Sequence, residues 1–132
     1  MKLPALAVLI TVLAGCATAP SAPAPAAPSG LAELMERTAE RALIEGIRLY
    51  DDGQYAAAEA ALQRALQAGL ASTRDQATAH KLLAFIACTS AREAACEASF
   101  RAARTADPGF ELAKAEAGHP MWGPVYRRVT AP

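Results

Sequence analysis

Cys88 and Cys96 are the two residues of this 132-residue chain whose spacing bears most directly on chemistry. On one continuous helix, eight residues would separate their Cα atoms by about 12 Å. A disulfide needs Cα atoms within about 7 Å, so a bond requires the chain to reverse between them, and the sequence predicts this reversal at Thr89 and Ser90. The spacing is not C-x-x-C, and no His adjoins either Cys. A disulfide, a redox or catalytic thiol, and two reduced buried cysteines are the alternatives at this point.

The third cysteine, Cys16, closes a Leu-Ala-Gly-Cys sequence that follows Lys2 and the apolar run 5–13. This stretch resembles the lipobox of bacterial lipoproteins, in which the Cys is acylated and the chain is cut before it. The resemblance implies a signal peptide over residues 1–15 and lipidation at Cys16. The apolar run is too short to span a bilayer. An ordinary signal peptide with a chance Cys is the alternative.

Lipidation would have three consequences for the mature chain. Several acyl chains anchor a protein stably, so we expect membrane attachment through the lipid alone. Ala17, where an Asp would favour inner-membrane retention in enteric lipoproteins, predicts the periplasmic face of the outer membrane. Export also places Cys88 and Cys96 in an oxidising compartment, where a pair of cysteines favours a disulfide.

Composition divides the remainder into a linker and one folded domain. Residues 16–30 carry the lipidated Cys and a Pro/Ala-rich stretch without a large apolar side chain, which cannot build a core. Residues 31–132 suit a single domain. Removing Lys2 with the leader leaves 12 basic against 13 acidic residues, without a basic stripe. A nucleic-acid partner is therefore not expected.

The stretch 39–70 predicts two helices joined by a tight turn. Leu43, Ile47 and Tyr50 follow the spacing of one helix face, and Asp52-Gly53 has turn chemistry. This pattern resembles the tetratricopeptide repeat, a 34-residue helical hairpin. With Gly46 at the repeat's eighth position, the matching residues are Leu49, Tyr55, Ala58, Leu62 and Ala65, and the departures are Ala42, Glu45 and Leu70.

A second copy of the template begins 38 residues later. Its matching residues are Leu83, Ala84, Ala87, Cys96, Phe100, Ala103 and Pro108. The resemblance implies an all-α fold of two tetratricopeptide-like hairpins plus a short C-terminal capping helix, here predicted at residues 111–117. Ser72 with Asp75, and Ser90 with Glu93, predict side-chain caps for the third and fourth helices. Whether residues 31–37 form a separate helix is open at this stage.

Catalytic and metal-binding patterns are not found in the sequence. His80 reads as a partly buried helix residue and His119 as a turn residue, and their distance from the cysteines does not fit structural zinc spacing. There is no nucleophile motif or phosphate-binding loop. The sequence predicts neither an enzyme nor a cofactor or metal.

A protein partner is therefore the expected ligand. The first helix of each hairpin would line a shallow groove, and the predicted partner-binding residues there are Arg41, Glu45, Arg48, His80 and Lys81. Such a mixed-charge surface suits a peptide or helix from another protein. Trp122 and Tyr126 form a competing surface, since aromatic residues are enriched at interfaces. The alternative for this tail is that it folds back to cap the last helix pair.

Taken together, the lipobox, the Ala/Pro linker, the two repeats and residues 110–129 resemble the small lipoproteins associated with type VI secretion (the TssQ-like family). The resemblance covers nearly all of the mature chain. It implies an accessory of the secretion apparatus that binds a protein of a secretion or envelope complex. A pilotin-like or envelope-assembly lipoprotein is the alternative.

Overall fold

The computed structural model describes residues 30–131. This part of the chain is all-α, as predicted, and contains no strand. Its elements are α1 (Leu31–Asp51), α2 (Tyr55–Ala68), α3 (Thr73–Thr89), α4 (Glu93–Ala106), α5 (Lys114–Ala117) and α6 (Gly123–Thr130). The predictions for the signal peptide, Cys16 and the linker up to residue 29 lie outside the described residues. Residues 31–37 are not a separate helix, because α1 runs through them without interruption.

The first hairpin packs α1 against α2 in antiparallel orientation, around a close contact between small and large residues. A Cβ placed on Gly46 would lie 2.8 Å from the side chain of Leu62, so the helices meet where α1 has no side chain. Ala58 and Ala65 are completely buried beside this contact. The small residues of α2 therefore allow the close approach that the sequence predicted.

The second hairpin packs α3 against α4 in the same way. Phe85 and Phe100 meet edge to face with ring centroids 6.1 Å apart. Cys96 is fully buried one turn before Phe100. The α2–α3 contact joins the two hairpins into one hydrophobic core. Eight of the 17 residues of α3 are buried, because α3 contacts α1, α2 and α4.

Both hairpins reverse through the same backbone motif. After α1, the N–H of Gly53 donates to Tyr50 O and that of Gln54 to Leu49 O. After α3, the N–H of Ala91 donates to Cys88 O and that of Arg92 to Ala87 O. These bond pairs define a Schellman motif, whose central residue takes a left-handed conformation. Gly53 occupies it with φ 74° in the first hairpin and Ala91 with φ 57° in the second.

This motif corrects one sequence-based prediction. The capping box predicted from Ser90 to Glu93 is wrong, because Ser90 ends α3 and Arg92 is the N-cap of α4, with no side-chain capping bond. Ser90 is part of the backbone turn that ends α3, so it cannot also be the N-cap of α4. The predicted cap of α3 is confirmed: Ser72 Oγ accepts a hydrogen bond from the Asp75 N–H at 3.2 Å.

The C-terminal segment, residues 107–131, folds back over the second hairpin. The short helix predicted at 111–117 exists only over Lys114–Ala117, and the sequence did not predict α6. Pro124 lies in the first turn of α6, where its missing N–H costs little. Gly123 permits a tight crossing, since a Cβ there would lie 2.4 Å from Ala117 O. α6 then packs on α4.

Candidate functional site

One face of α1 points away from the core and is the most distinctive surface of the described chain. Its residues are spaced alternately three and four apart, and we call them the outer stripe: Leu34, Arg37, Arg41, Ile44 and Arg48. At 100° per residue they fall within a sector about 80° wide. The buried residues Ala39, Leu43 and Gly46 lie nearly opposite.

The outer stripe combines exposed apolar and cationic side chains. Ile44 is 65% exposed and Leu34 is 52% exposed. Six large hydrophobic residues are exposed among residues 30–131, and four of them lie on α1: Leu31, Leu34, Met35 and Ile44. Scattered exposed apolar residues are ordinary, but this concentration on one helix is not explained by the packing of the domain.

The charges of the outer stripe are mostly without an intramolecular partner. Arg41 and Arg48 form no ion pair with any residue of the described range 30–131. Arg37 pairs with Glu33 one turn away at 3.5 Å. Exposed pairs of this kind contribute little to stability. Two guanidinium groups that flank Ile44 are thus available to a ligand.

Glu45, predicted to share this surface, lies at its edge and faces α2. Its carboxylate accepts a hydrogen bond from the Arg64 guanidinium at 3.1 Å. Glu45 therefore pairs with Arg64 in the structure and not with Arg41 or Arg48. The five residues predicted to line one groove do not form a single open surface in the structure.

Lys81, one of the two predicted groove residues of α3, contacts the chain's own C-terminal segment. Lys81 Nζ donates to Glu116 Oε1 at 2.7 Å, and the two side chains are about one quarter exposed. The same ammonium lies 5.7 Å from the centroid of the Phe85 ring. This face of α3 is thus covered from within the molecule.

His80, the neighbouring predicted residue, is half-buried on α3. Desolvation by burial lowers its pKa below the usual value for histidine. The cause is general burial and not a nearby charge. Within residues 30–131, no group of three or more Cys, His, Asp or Glu side chains is placed to hold a metal ion.

Trp122 and Tyr126 belong to the core and not to the exposed surface. Trp122 stacks on Phe85 with ring centroids 4.1 Å apart and on His119 at 3.5 Å. Its Nε1 donates to Glu116 O at 2.9 Å. The Tyr126 hydroxyl accepts from the Leu112 N–H at 3.2 Å. Both side chains are 9% exposed. This burial agrees with the capping interpretation of the tail and contradicts an exposed hot spot. Met121 is the one large hydrophobic residue of residues 107–131 that is exposed.

Cys88 and Cys96 lie at the end of α3 and in the first turns of α4. Their sulfur atoms are 2.03 Å apart and their Cα atoms 5.2 Å apart. The chain reversal that this bond needs occurs at residues 89–92. The disulfide links the two helices of the second hairpin next to their turn, and Cys96 is inaccessible to solvent.

The sequence-based prediction of partner-binding residues included Arg41 and Arg48 of the outer stripe but not Leu34, Arg37 or Ile44. The signal was present: these residues follow a three-four alternation on the face of α1 that the apolar core residues leave free. The prediction used the periodicity of the core face only. A second apolar periodicity on the same helix would have identified the outer stripe.

Comparison with known proteins adds no relative: no family model, curated protein or solved structure matches this chain significantly. The resemblance to type VI secretion lipoproteins therefore stays a prediction. Among the described residues, no helix combines the length and the apolar character needed to cross a membrane.

Proposed function

We propose that this chain is an outer-membrane lipoprotein that acts as a periplasmic adaptor, binding a protein of the type VI secretion apparatus through its helical hairpins. The observation that carries the proposal is the outer stripe of α1. It presents exposed Ile44 between the unpaired Arg41 and Arg48. An apolar side chain flanked by guanidinium groups is a composition found at protein interfaces.

The arrangement of the hairpins supports a tetratricopeptide-like interpretation of the fold. Four matched positions of the repeat template are buried in each copy: Gly46, Ala58, Leu62 and Ala65 in the first, and Ala84, Cys96, Phe100 and Ala103 in the second. Tyr55, which matches the template in the first copy, is 46% exposed. Arrays of this kind expose an end helix and need a capping element. In this chain, α1 would be the exposed end and the C-terminal segment the cap.

The anchor and linker give the adaptor its location. Lipidation at Cys16 would hold the chain on the periplasmic face of the outer membrane. The Pro/Ala linker, extended at about 3.1 Å per residue, would reach roughly 40 Å. The binding domain would then stand clear of the lipid headgroups and reach an envelope-spanning partner.

Localisation tests the anchor. Replacing Cys16 by Ser should leave the protein unprocessed or soluble in the periplasm, because no acyl chain can be added. The measurement is fractionation of inner and outer membranes, with Cys96→Ser as the matched cysteine control, which should remain in the outer membrane. A Cys16→Ser protein that still sediments with purified outer membranes after partners are stripped would exclude the anchor.

Partner capture tests the adaptor role. Full-length tagged protein, crosslinked in intact cells and purified from envelope extracts, should retain a defined secretion component. Capture of an outer-membrane secretin or a pilus component in its place would favour a pilotin-like function. Recovery of the protein alone, with crosslinking verified on a known envelope complex, would contradict the proposal.

A further inference from the structure

We propose that the outer stripe of α1 docks an acidic amphipathic helix of the partner protein. The inference rests on the proposed adaptor function and names the chemistry of the partner. It commits to a helix, with a lipid surface and a second copy of this chain as the alternatives to be excluded.

The apolar residues of the outer stripe determine the shape of the ligand. Leu34 and Ile44 are ten residues apart, which is about 15 Å along a helix. The three-four alternation from Leu34 to Arg48 is the spacing of a helix seam. A partner helix can align its own apolar residues along this seam, whereas an extended peptide would match neither the spacing nor the narrow width of the stripe.

The cationic residues determine the charge of the ligand. Arg41 and Arg48 lie three residues before and four residues after Ile44, so their Cα atoms are about 10.5 Å apart along the helix axis. Guanidinium groups bind carboxylates in a bidentate manner. In an antiparallel partner helix, an acidic residue should therefore be followed four positions later by an apolar residue and seven positions later by a second acidic residue.

The remaining charges of α1 disfavour an anionic lipid surface. The helix carries five acidic residues, Glu33, Glu36, Glu40, Glu45 and Asp51, against three arginines. A membrane surface is broad and would also contact the acidic residues on either side of the outer stripe. Their negative charge would repel anionic lipid headgroups. A single helix contacts the outer stripe alone, and two of the acids that adjoin the stripe, Glu33 and Glu45, are already paired with Arg37 and Arg64.

Charge also disfavours self-association through this surface. A second copy would place its own Arg41 and Arg48 opposite the same two residues. Like charges that meet across an interface are destabilising. An acidic helix is the occupant that satisfies both the apolar and the charged members of the outer stripe.

The test uses full-length lipidated protein in neutral detergent and a fluorescent helical peptide of about 18 residues, long enough to cover the stripe. The peptide carries Leu along one face and Glu at the two acidic positions; a matched peptide carries Gln there. We expect the Glu peptide to bind at least tenfold more tightly at low salt, as measured by anisotropy, and the preference to shrink in high salt.

Variants locate the site. Arg41→Glu combined with Arg48→Glu should weaken binding of the Glu peptide at least tenfold. Arg74→Glu is the matched control, since Arg74 is also exposed and unpaired among the described residues but lies on α3; it should bind as the original protein does. Circular dichroism and thermal melting establish that all variants are folded.

Three outcomes would overturn the inference: equal binding of the Gln peptide, binding unaffected by the α1 double variant, or stripe-dependent binding to vesicles containing phosphatidylglycerol in place of the peptide. Dimerisation lost in the double variant would overturn it in favour of a second copy. In cells, a partner captured equally by the double variant would overturn this inference and leave the adaptor function standing. Failure of the original protein to capture any partner would instead overturn the adaptor function.

Discussion

At the scale of single residues, the stability of the second hairpin depends on a few aromatic contacts over α3. Trp122 reaches Phe85 from a segment 37 residues away in sequence and lies between that ring and His119. Its indole N–H is also satisfied by Glu116 O. The ring is buried and its polar group is paired, so this side chain joins the C-terminal segment to α3.

Truncation of Trp122 should therefore destabilise the domain strongly. We expect Trp122→Ala to lower the free energy of unfolding by about 3–5 kcal/mol, the range for truncated buried aromatic residues. Denaturant titration followed by circular dichroism measures it. Met121→Ala is the matched control because Met121 is half-exposed, and it should change stability little. A Trp122→Ala protein as stable as the control would mean that the ring does not pack on Phe85 in solution.

The lowered pKa of His80 predicts a pH dependence of stability. Because burial depresses the pKa in the folded state, the unfolded chain binds a proton more readily than the folded chain. Stability should therefore be complete above the unfolded value of about 6.5 and fall as the pH decreases below it. His80→Gln should flatten this part of the profile in melts between pH 5 and 8. An unchanged slope in His80→Gln would assign the dependence to other groups.

The cysteine pair predicts a redox dependence. If Cys88 and Cys96 are oxidised in the cell, thiol titration of the denatured, unreduced domain should find no free thiol. Closing a loop of nine residues should contribute about 2.5 kcal/mol on the chain-entropy model, so reduction should lower the melting temperature. Cys88→Ala with Cys96→Ala, tested with and without reductant, is the control that should show no change. Two free thiols in the original protein would exclude the bond.

At the scale of elements, the two hairpin turns share one geometry but use different residues. Gly53 and Ala91 occupy the same left-handed position of the two Schellman motifs. This conformation is unstrained for glycine, whereas a residue with a Cβ is disfavoured there by roughly 1–2 kcal/mol. The second hairpin therefore tolerates strain in its turn that the first avoids.

Reciprocal substitutions test this difference. Ala91→Gly should stabilise the domain by up to about 1 kcal/mol, the relief of strain being partly offset by the greater freedom of glycine in the unfolded chain. Gly53→Ala should destabilise it by a similar amount, and no atom lies within 4 Å of the added Cβ, so the effect reports the backbone alone. Denaturant midpoints of the two variants measure this. Shifts of the same sign would contradict the shared motif.

At the scale of the whole molecule, the C-terminal segment makes the two ends of the domain different. It covers α3 through Lys81–Glu116 and Phe85–Trp122, and α6 is held on α4 by Arg128, which bonds to Glu93 and Glu97. The hydrogen bond from Arg128 lowers the pKa of the Glu97 carboxyl. The opposite end, formed by α1, has no such cover within residues 30–131.

Removal of the segment should expose the second hairpin. A chain that ends after Ala113 lacks α5 and α6, so Phe85 loses its contact with Trp122 and Phe100 loses its contact with Tyr126. We expect a lower melting temperature and increased binding of the dye ANS, which reports exposed apolar surface. A chain ending after Arg128 is the matched control and should bind little dye. Equal dye binding by the two chains would show that the segment does not protect the core.

The sequence by itself determined the helical hairpins, because helix periodicity, turn residues and small residues at close contacts act over neighbouring positions. Leu43 and Ile47 predicted the core face of α1, and Gly46 predicted the close approach of α2. Ser72 and Asp75 predicted the start of α3. Each of these signals is local, and the structure agrees with each.

Only the tertiary structure decided which charged residues remain free and which aromatic residues are buried. Glu45 and Arg64 are 19 residues apart, and Lys81 and Glu116 are 35 apart, so their pairing depends on how the helices cross and not on any local pattern. The contact of Trp122 with Phe85 likewise depends on how the C-terminal segment folds back over α3. Arg41 and Arg48 resemble these cations in sequence, but they lie on the face of α1 that no other described element reaches, and this placement is what leaves them available.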